Sequence, residues 1–382
     1  MKVCDVVLNS IWYDPRVRKQ IISYMENGID VCAVGLMDKR YDEEKVQKIP
    51  CKVTLADIPN NYKGKQRSIL RKLKREKLIE KAVCDAIIVQ KPDLIHANDL
   101  NALIPAYKAA KKLKCKLIYD SHEINVENNK YINKKLWKKV LWLKEKKLVK
   151  KVDLMLCVSN AAAEYFSKTY KIKKPMVVTN CALKSETVDF SKVSKNLGFE
   201  VLNHGQFYAG RGYDVMLKAC EYIQDLPKIK LAIRGFGQME NELRELSKKY
   251  DKRNQFIFYP PVTVQELIPE AAKSHVGVAI TEAICLNFKL SVSNKLFEYA
   301  SAGLPVIMSD IPEHRYLNEK YKFGIVIKDN TPECFAEAVK KLYLDKEFYN
   351  TCANNAKLMS QEINWENEFN KLIQAEKELF YR

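Results

Sequence analysis

Most of the features that fix a chemistry at a glance are missing from this sequence. Its five histidines, at positions 96, 122, 204, 275 and 314, show no metal-ligand spacing, so no zinc site is expected. The eleven cysteines are scattered, mostly inside apolar runs, and none form a C-x-x-C pair. That is the usage of a reduced compartment, where cysteine serves as a small core residue. No stretch reaches the roughly 18 apolar residues that a membrane-spanning helix needs. The start, Met1-Lys-Val-Cys-Asp-Val-Val-Leu-Asn9, lacks the long apolar segment of a signal peptide and reads as a first strand. No Gly-x-Gly-x-x-Gly follows that strand, which argues against a nicotinamide-dependent dehydrogenase.

A chain of 382 residues is long enough for two domains, and its 47% hydrophobic content can fill two cores. Charge divides it in the same way. Residues 1–185 hold 39 Lys and Arg against 20 Asp and Glu, an excess of +19, while residues 186–382 hold 26 against 27. A basic half points to a polyanionic surface, either nucleic acid or an anionic membrane.

The first half alternates strand and helix patterns. Strands are expected at Val3–Leu8, Val31–Val34, Ile87–Val89, Leu94–His96, Lys116–Tyr119 and Leu154–Val158. A helix is expected from Pro15 to about Asn27, capped by Asp14 and stopped by Gly28. Repeats of this kind build an α/β doubly wound parallel sheet, whose ligands gather at the C-terminal strand ends. Asp14, His96, Asp99, His122 and Ser159 all fall just past such ends. The polar segment Ser185–Asn196 reads as a linker. A second series follows, with strands at Val201–Gly205, Lys230–Ile233, Phe256–Tyr259 and Val276–Ile280, and a last helix over Trp365–Tyr381.

The most informative unit is Ser293–Met308. Ser293 is placed to cap a helix with its hydroxyl, Leu296, Phe297 and Ala300 give it an apolar stripe, and Gly303 suits its left-handed stop. Val306-Ile307-Met308 then fits a buried parallel strand. A helix start is an anion site because its first amides lack partners. Asn294 and Lys295 add donors there, and Glu298 lies one turn on.

Two segments carry much of the basic excess. Lys63–Lys81 mixes nine Lys and Arg with Ile69, Leu70, Leu73 and Leu78. Lys130–Lys151 holds ten Lys against one Glu, with Trp137, Val140, Leu141, Trp142 and Leu148 between them. An apolar stripe in a lysine-rich helix with tryptophans is the pattern of a helix lying in a membrane interface. The plainer reading is an apolar stripe packed on the sheet under solvated lysines. Nucleic acid is disfavoured, since no aromatic sheet platform or Gly-rich RNA motif accompanies the charge.

Taken together, two α/β halves, a long last helix and the run Asn294-Lys-Leu-Phe-Glu-Tyr-x-x-x-Gly-x-Pro-Val306 resemble the GT-B retaining glycosyltransferases of family 4. The resemblance spans nearly the whole chain. Asp14-Pro-Arg-Val-Arg18 looks like an acceptor-side loop and helix. Pro92-Asp-Leu-Ile-His-Ala-Asn-Asp99 and Tyr119-Asp-Ser-His-Glu123 look like the two histidine-bearing strand ends. Val158-Ser159-Asn160 matches an element before a short helix. His204-Gly-Gln-Phe-Tyr-Ala-Gly-Arg-Gly212 resembles the first phosphate loop, Arg234-Gly-Phe-Gly237 the second glycine loop, and Tyr259-Pro-Pro-Val262 the frame of the nucleobase.

The resemblance implies two Rossmann-like domains facing across a cleft: residues 1–185 for acceptor and membrane, residues 198–364 for the nucleotide-sugar, and residues 365–382 as a helix crossing back. It implies donor binding by Gly205, Gln206, Arg211, Arg234, Gly235, Val262, Ser293, Asn294, Lys295 and Glu298. Asp14, Arg16, Arg18, His96, Asp99 and Glu123 would lie on the acceptor side. Catalysis would rest on His122, Arg211, Lys295 and Glu298, with Glu298 accepting from ribose hydroxyls and no metal required. The substrates implied are a UDP-sugar or GDP-sugar and a glycan or lipid-linked acceptor, handled by a cytoplasmic protein peripheral to the inner face of the membrane. Two departures stand out. The first of the family's paired glutamates is Leu290 here, and an arginine common after the first glycine is Gln206. They leave open a non-catalytic nucleotide- or glycan-binding subunit; a nucleotide-sugar epimerase is a further alternative, which the strongly basic first half fits poorly.

Overall fold

The structure, a computed structural model, describes residues 1–39, 41–63 and 68–381. Lys65 and Arg67 of the first basic segment lie outside the described residues. Two compact units divide the chain: Met1–Val178 with Phe369–Arg382, and Thr179–Glu368. Each is a parallel sheet flanked by helices.

The first unit has strands β1 (Lys2–Val6), β2 (Asp30–Leu36), β3 (Lys52–Ala56), β4 (Leu94–Asn98), β5 (Lys116–Ser121), β6 (Leu154–Cys157) and β7 (Met176–Val177), in the order β3-β2-β1-β4-β5-β6-β7. The order reverses between β1 and β4, where a doubly wound sheet opens a crevice at its carboxyl edge. The helix Pro15–Glu26 starts as its sequence dictates. Asp14 accepts the Val17 amide at 3.2 Å, Pro15 takes the first turn, and Gly28 follows the helix end with φ +68°. From Phe369 on, the last helix (Trp365–Tyr381) belongs to this unit. Its Phe369 ring meets Tyr24 edge-on at 5.0 Å, and its Glu376 accepts from the Tyr24 hydroxyl.

The strand expected at Ile87–Val89 is instead the end of a 22-residue helix, Ile69–Gln90. Ile79, Val83 and Ile87 recur every four residues and are buried on one helical face, while Val89 is 72% exposed. The helical period therefore overrides the short apolar run.

The second unit has β8 (Phe199–Gln206), β9 (Ile229–Phe236), β10 (Phe256–Tyr259), β11 (Val276–Ala279), β12 (Val306–Ser309) and β13 (Gly324–Ile327), in the order β10-β9-β8-β11-β12-β13. Its order reverses between β8 and β11. The segment read as a linker belongs to this unit, where the Lys357 ammonium lies 4.6 Å over the Phe190 ring.

The helix Asn294–Ser301 buries Leu296, Phe297 and Ala300, as its stripe dictates, and Gly303 takes φ +68° beyond it. The hydroxyl cap expected of Ser293 is not made. Ser293 sits at the cap position with extended backbone, and its carbonyl, not its hydroxyl, closes the turn onto the Leu296 amide at 3.1 Å. Tyr299 fixes this helix on the sheet. Its hydroxyl donates to the Leu202 carbonyl at 3.0 Å and accepts the His204 amide at 2.9 Å. A Cβ on Gly277 would lie 2.2 Å from its ring, so only glycine lets the helix come this close.

Candidate active site

In the second unit, the carboxyl end of β8 carries a polar cluster at the point where strand order reverses. Asn203, fully buried, accepts from the Lys295 ammonium at 2.6 Å and donates through its amide nitrogen to the Arg211 carbonyl at 3.0 Å. It thereby ties the glycine-rich loop to the helix Asn294–Ser301. The next residue, His204, stacks on Tyr299 at 4.4 Å, and its Nε2 lies 2.7 Å from a Glu298 carboxylate oxygen. Facing a carboxylate, that nitrogen carries the proton. The pairing sets the direction of Glu298, whose side chain is 25% exposed.

Lys295 and Glu298 thus stand one turn apart beside Gly205. A Cβ built there would come within 3.5 Å of the lysine's Cε, and its φ of +127° favours glycine in any case. Burial lowers the Lys295 pKa to about 7, with the nearby Arg211 charge adding to the shift and Glu298 opposing it. An ammonium held this far below its ordinary range gains an anionic partner readily. Arg211 is half-buried, its guanidinium 5.1 Å over the Phe288 ring. The cluster is cationic at one end and carboxylate at the other, which suits a diphosphate beside a hydroxyl-bearing group.

Other expected donor residues are placed differently. Arg234 is buried, with its guanidinium donating to Glu270 at 3.1 Å and the Pro260 carbonyl at 3.3 Å, and lying 4.7 Å over the Tyr259 ring. It braces the end of β9. Gly235 approaches the neighbouring strand so closely that a Cβ would sit 1.9 Å from the Gly205 carbonyl oxygen. Gln206 and Asn294 are exposed, Val262 is half-buried in the loop after β10, and Ser293 is 9% exposed.

The first unit gathers a second cluster at the ends of β1, β4 and β5. Asn98 donates through its amide nitrogen to Asp5 and to the Val6 carbonyl, the latter at 3.2 Å. Its side-chain oxygen is therefore turned to His122, whose Nε2 lies 3.0 Å away and donates the proton. The opposite nitrogen, Nδ1, lies 3.8 Å from Asp99, and the His122 amide donates to Asp99 at 3.1 Å. Burial alone would lower the His122 pKa, but Asp99 and Asp120 outweigh it and the net shift is upward. Burial raises that of Asp99, which holds a left-handed backbone at φ +67°. Left-handed non-glycine residues are sparsely populated and concentrate at functional sites.

His96 and Arg16 lie deeper, while Arg18 is half-buried. His96 is fully buried, with Tyr24 at 3.1 Å, Gln20 at 2.8 Å and Asp120 at 3.5 Å. Burial would lower its pKa, yet Asp120 and Glu376 carry it up to about 9. Arg16 donates to Asp120 at 2.8 and 3.0 Å and to the Val178 carbonyl at 3.0 Å. Burial opposes the Asp120 charge, but Arg16 and His122 hold its pKa well below the carboxylate range. These residues brace the strand ends behind His122. Arg18 lies 4.5 Å over the Trp12 ring, and Asp14 caps its helix. Glu123 is exposed and accepts from Asn128 at 2.6 Å.

Sequence reasoning passed over Asn203 and His204 as side chains, and Asn98 and Asp120 likewise. For Asn203 and His204 the available signal was a polar pair closing an otherwise apolar strand just before Gly205. Among the described residues no group of three or more His, Cys, Asp and Glu is placed to hold a metal ion. No described helix is long and apolar enough to cross a membrane.

Residues 185–359 match the family described as Glycosyl transferases group 1, and residues 22–184 match Glycosyltransferase Family 4. The chain belongs to these glycosyltransferases. A curated relative, an uncharacterised glycosyltransferase from Methanocaldococcus jannaschii, is 23% identical over 251 residues. That alignment takes in 62% of this chain and 60% of the relative, so the chain spans under two thirds of the relative's length. Sucrose-phosphate synthase from Thermosynechococcus elongatus superposes with a TM-score of 0.76 at 14% identity, over 100% of this glycosyltransferase and 99% of that chain. HepE from Anabaena, solved with UDP and glucose, gives 0.75 at 15% identity over 99% and 100%. At these identities the likeness to the solved structures is one of fold, the two-domain GT-B fold.

Proposed function

We propose that this glycosyltransferase is a retaining enzyme of the branch with the Asn294-Lys-Leu-Phe-Glu-Tyr form. It moves a sugar from a UDP- or GDP-sugar held by the second unit to a lipid-linked or cell-envelope glycan acceptor on the first. The observation that carries this reading is the cluster at the end of β8. Lys295, with Arg211 nearby, faces a site one turn from Glu298. Those cations would take the charge of the leaving diphosphate, so no metal is needed in this scheme, and Glu298 would hold the ribose. HepE carries UDP and glucose in its crystals, which supports the donor class. His122, with its Nε2 proton held by Asn98, would orient or stabilise charge at the reacting centre.

A place at a membrane surface, which we take to be the cytoplasmic one, is supported by the helix Lys135–Leu148, which half-buries Trp137, Leu141, Trp142 and Leu148 but turns other apolar residues outward. Its one buried residue is Glu145, which accepts from Tyr119 at 2.7 Å and Tyr170 at 2.6 Å. Leu136, Val140 and Leu143, spaced four and three apart, are 77%, 39% and 52% exposed among lysines. An apolar stripe turned outward within a cationic helix is what an interfacial helix requires. The deciding experiment is transfer or hydrolysis of a panel of UDP- and GDP-sugars by the purified protein, with and without EDTA. Turnover that survives EDTA supports the reading. Nucleotide binding with no turnover of any sugar would make this a binding protein, and turnover that EDTA abolishes and magnesium restores would overturn the proposed charge stabilisation.

A further inference from the structure

A groove of about 510 Å³ runs along the first unit between the helices Ile69–Gln90, Asp99–Leu113 and Lys135–Leu148. Its floor is apolar: Leu8 and Leu36 just past or at the carboxyl ends of β1 and β2, with Ile79, Ile104, Trp137 and Leu141. Its rim is cationic. Lys72 and Arg75 stand on one side, Lys134 and Lys144 on the other, with Glu76 and Glu80 among them. Glu80 is paired to Lys108. The spacing explains the arrangement, because residues 72, 75 and 79 of one helix and 137, 141 and 144 of the other each fall on a single helical face. An apolar trough under a row of cations matches one kind of occupant, a hydrocarbon chain that ends in an anionic group. Leu8 and Leu36 place the floor at the carboxyl edge of the sheet, the same edge that carries the cluster around His122.

We propose that this groove seats the acceptor's lipid. It takes one hydrocarbon chain of a lipid phosphate, with the phosphate on Lys72, Arg75, Lys134 and Lys144 and the group to be glycosylated directed toward Asp99 and His122. The proposal rests on the reading of the chain as a glycosyltransferase with a lipid-linked acceptor, and it narrows that acceptor to a lipid phosphate. The occupant is a single lipid in a trough, distinct from the bilayer that Leu136 and Leu143 would meet; Val140 stands between the two, at the edge of the groove.

The probe is dodecyl phosphate below its micelle concentration, titrated calorimetrically into the full chain, with dodecyl maltoside and inorganic phosphate as separate arms. The expected result is saturable 1:1 binding of dodecyl phosphate, at least tenfold tighter than either control. Ile104→Phe and, separately, Leu141→Phe fill the floor and should each weaken it at least tenfold, with circular dichroism and sedimentation on anionic vesicles unchanged. Lys72→Glu with Lys144→Glu should reduce dodecyl phosphate to the level of the maltoside. Equal binding of all three probes would overturn the proposal, as would no effect of either filling variant. Loss of vesicle binding on filling would assign the groove to the bilayer instead, and a dimer dispersed by the probe would assign it to a second copy of the chain. The titration involves no sugar transfer, so a protein that binds the probe but turns over no nucleotide-sugar overturns the functional reading and leaves the groove standing.

Discussion

Asn203 holds the ammonium of Lys295 at 2.6 Å, joining the carboxyl half of a strand to the first turn of a helix 92 residues later. The lysine is thereby aimed before any ligand arrives, and an aimed charge needs no reorganisation when a leaving group develops its own. Lys295→Ala and Glu298→Ala should each lower transfer at least about 100-fold, the usual result of removing one donor directed at developing charge. Both side chains are half-buried at the rim of the sheet, so circular dichroism should stay that of the parent. Near-parental turnover by either variant would remove the site.

The depressed pKa of Lys295 gives a second expectation with a definite sign. Near pH 7 and above, the ammonium in the empty site is losing its proton, because burial and Arg211 disfavour the charge. A bound diphosphate favours the charged form and raises the pKa again. UDP binding should therefore take up a proton between about pH 7 and 9, and affinity should fall as pH rises through that window. Calorimetry at pH 8 in two buffers of different ionisation enthalpy measures the uptake directly. The Lys295→Ala variant should show none, and proton release by the parent would contradict the assignment.

Most strands of both sheets were legible in the sequence because buried parallel strands read as short apolar runs between helical patterns, but the edge strands Met176–Val177 and Gly324–Ile327 were not. The run at Ile87–Val89 misled because three apolar residues suit a strand or a helix equally. Only the longer period through Ile79 and Val83 decides between them. The strand Lys52–Ala56 escaped notice since it is an edge strand, mostly half-buried, whose mixed composition gives no apolar run. Of the site, Lys295 and Glu298 were legible from their place at a helix start. Asn203 and His204 were not, because their roles depend on a helix that returns to the sheet more than 90 residues later.

That return depends on Gly277. Its missing side chain leaves room for the Tyr299 ring, which a Cβ would meet at 2.2 Å. Gly277→Ala overpacks a fully buried contact, a change that costs about 1–3 kcal/mol. For a domain of this size that amounts to a fall in Tm of roughly 2 to 12 °C. Nucleotide affinity should fall with it, because Tyr299 positions Lys295 and Glu298. An unchanged Tm by calorimetry would show that the helix can shift without cost.

The basic helix Lys135–Leu148 makes the last expectation, and the structure refines which lysines test it. Lys138 is paired with Glu127 at 2.6 Å, so reversing it would disturb the fold as well as the surface. Lys134, Lys135 and Lys139 are exposed beside Leu136 and Val140. The parent should sediment with anionic liposomes and much less with neutral ones, since each lysine near such a surface is worth roughly 1 kcal/mol. Attraction should fall as salt rises, because screening shortens the Debye length to about 8 Å at physiological ionic strength. Leu136 and Leu143 inserted at the interface would leave a part that salt does not remove. Replacing Lys134, Lys135 and Lys139 by Glu should release the salt-sensitive part while UDP binding by the second unit is retained. Equal sedimentation with neutral and anionic vesicles, or none with either, would return these lysines to the role of a solvated helix face.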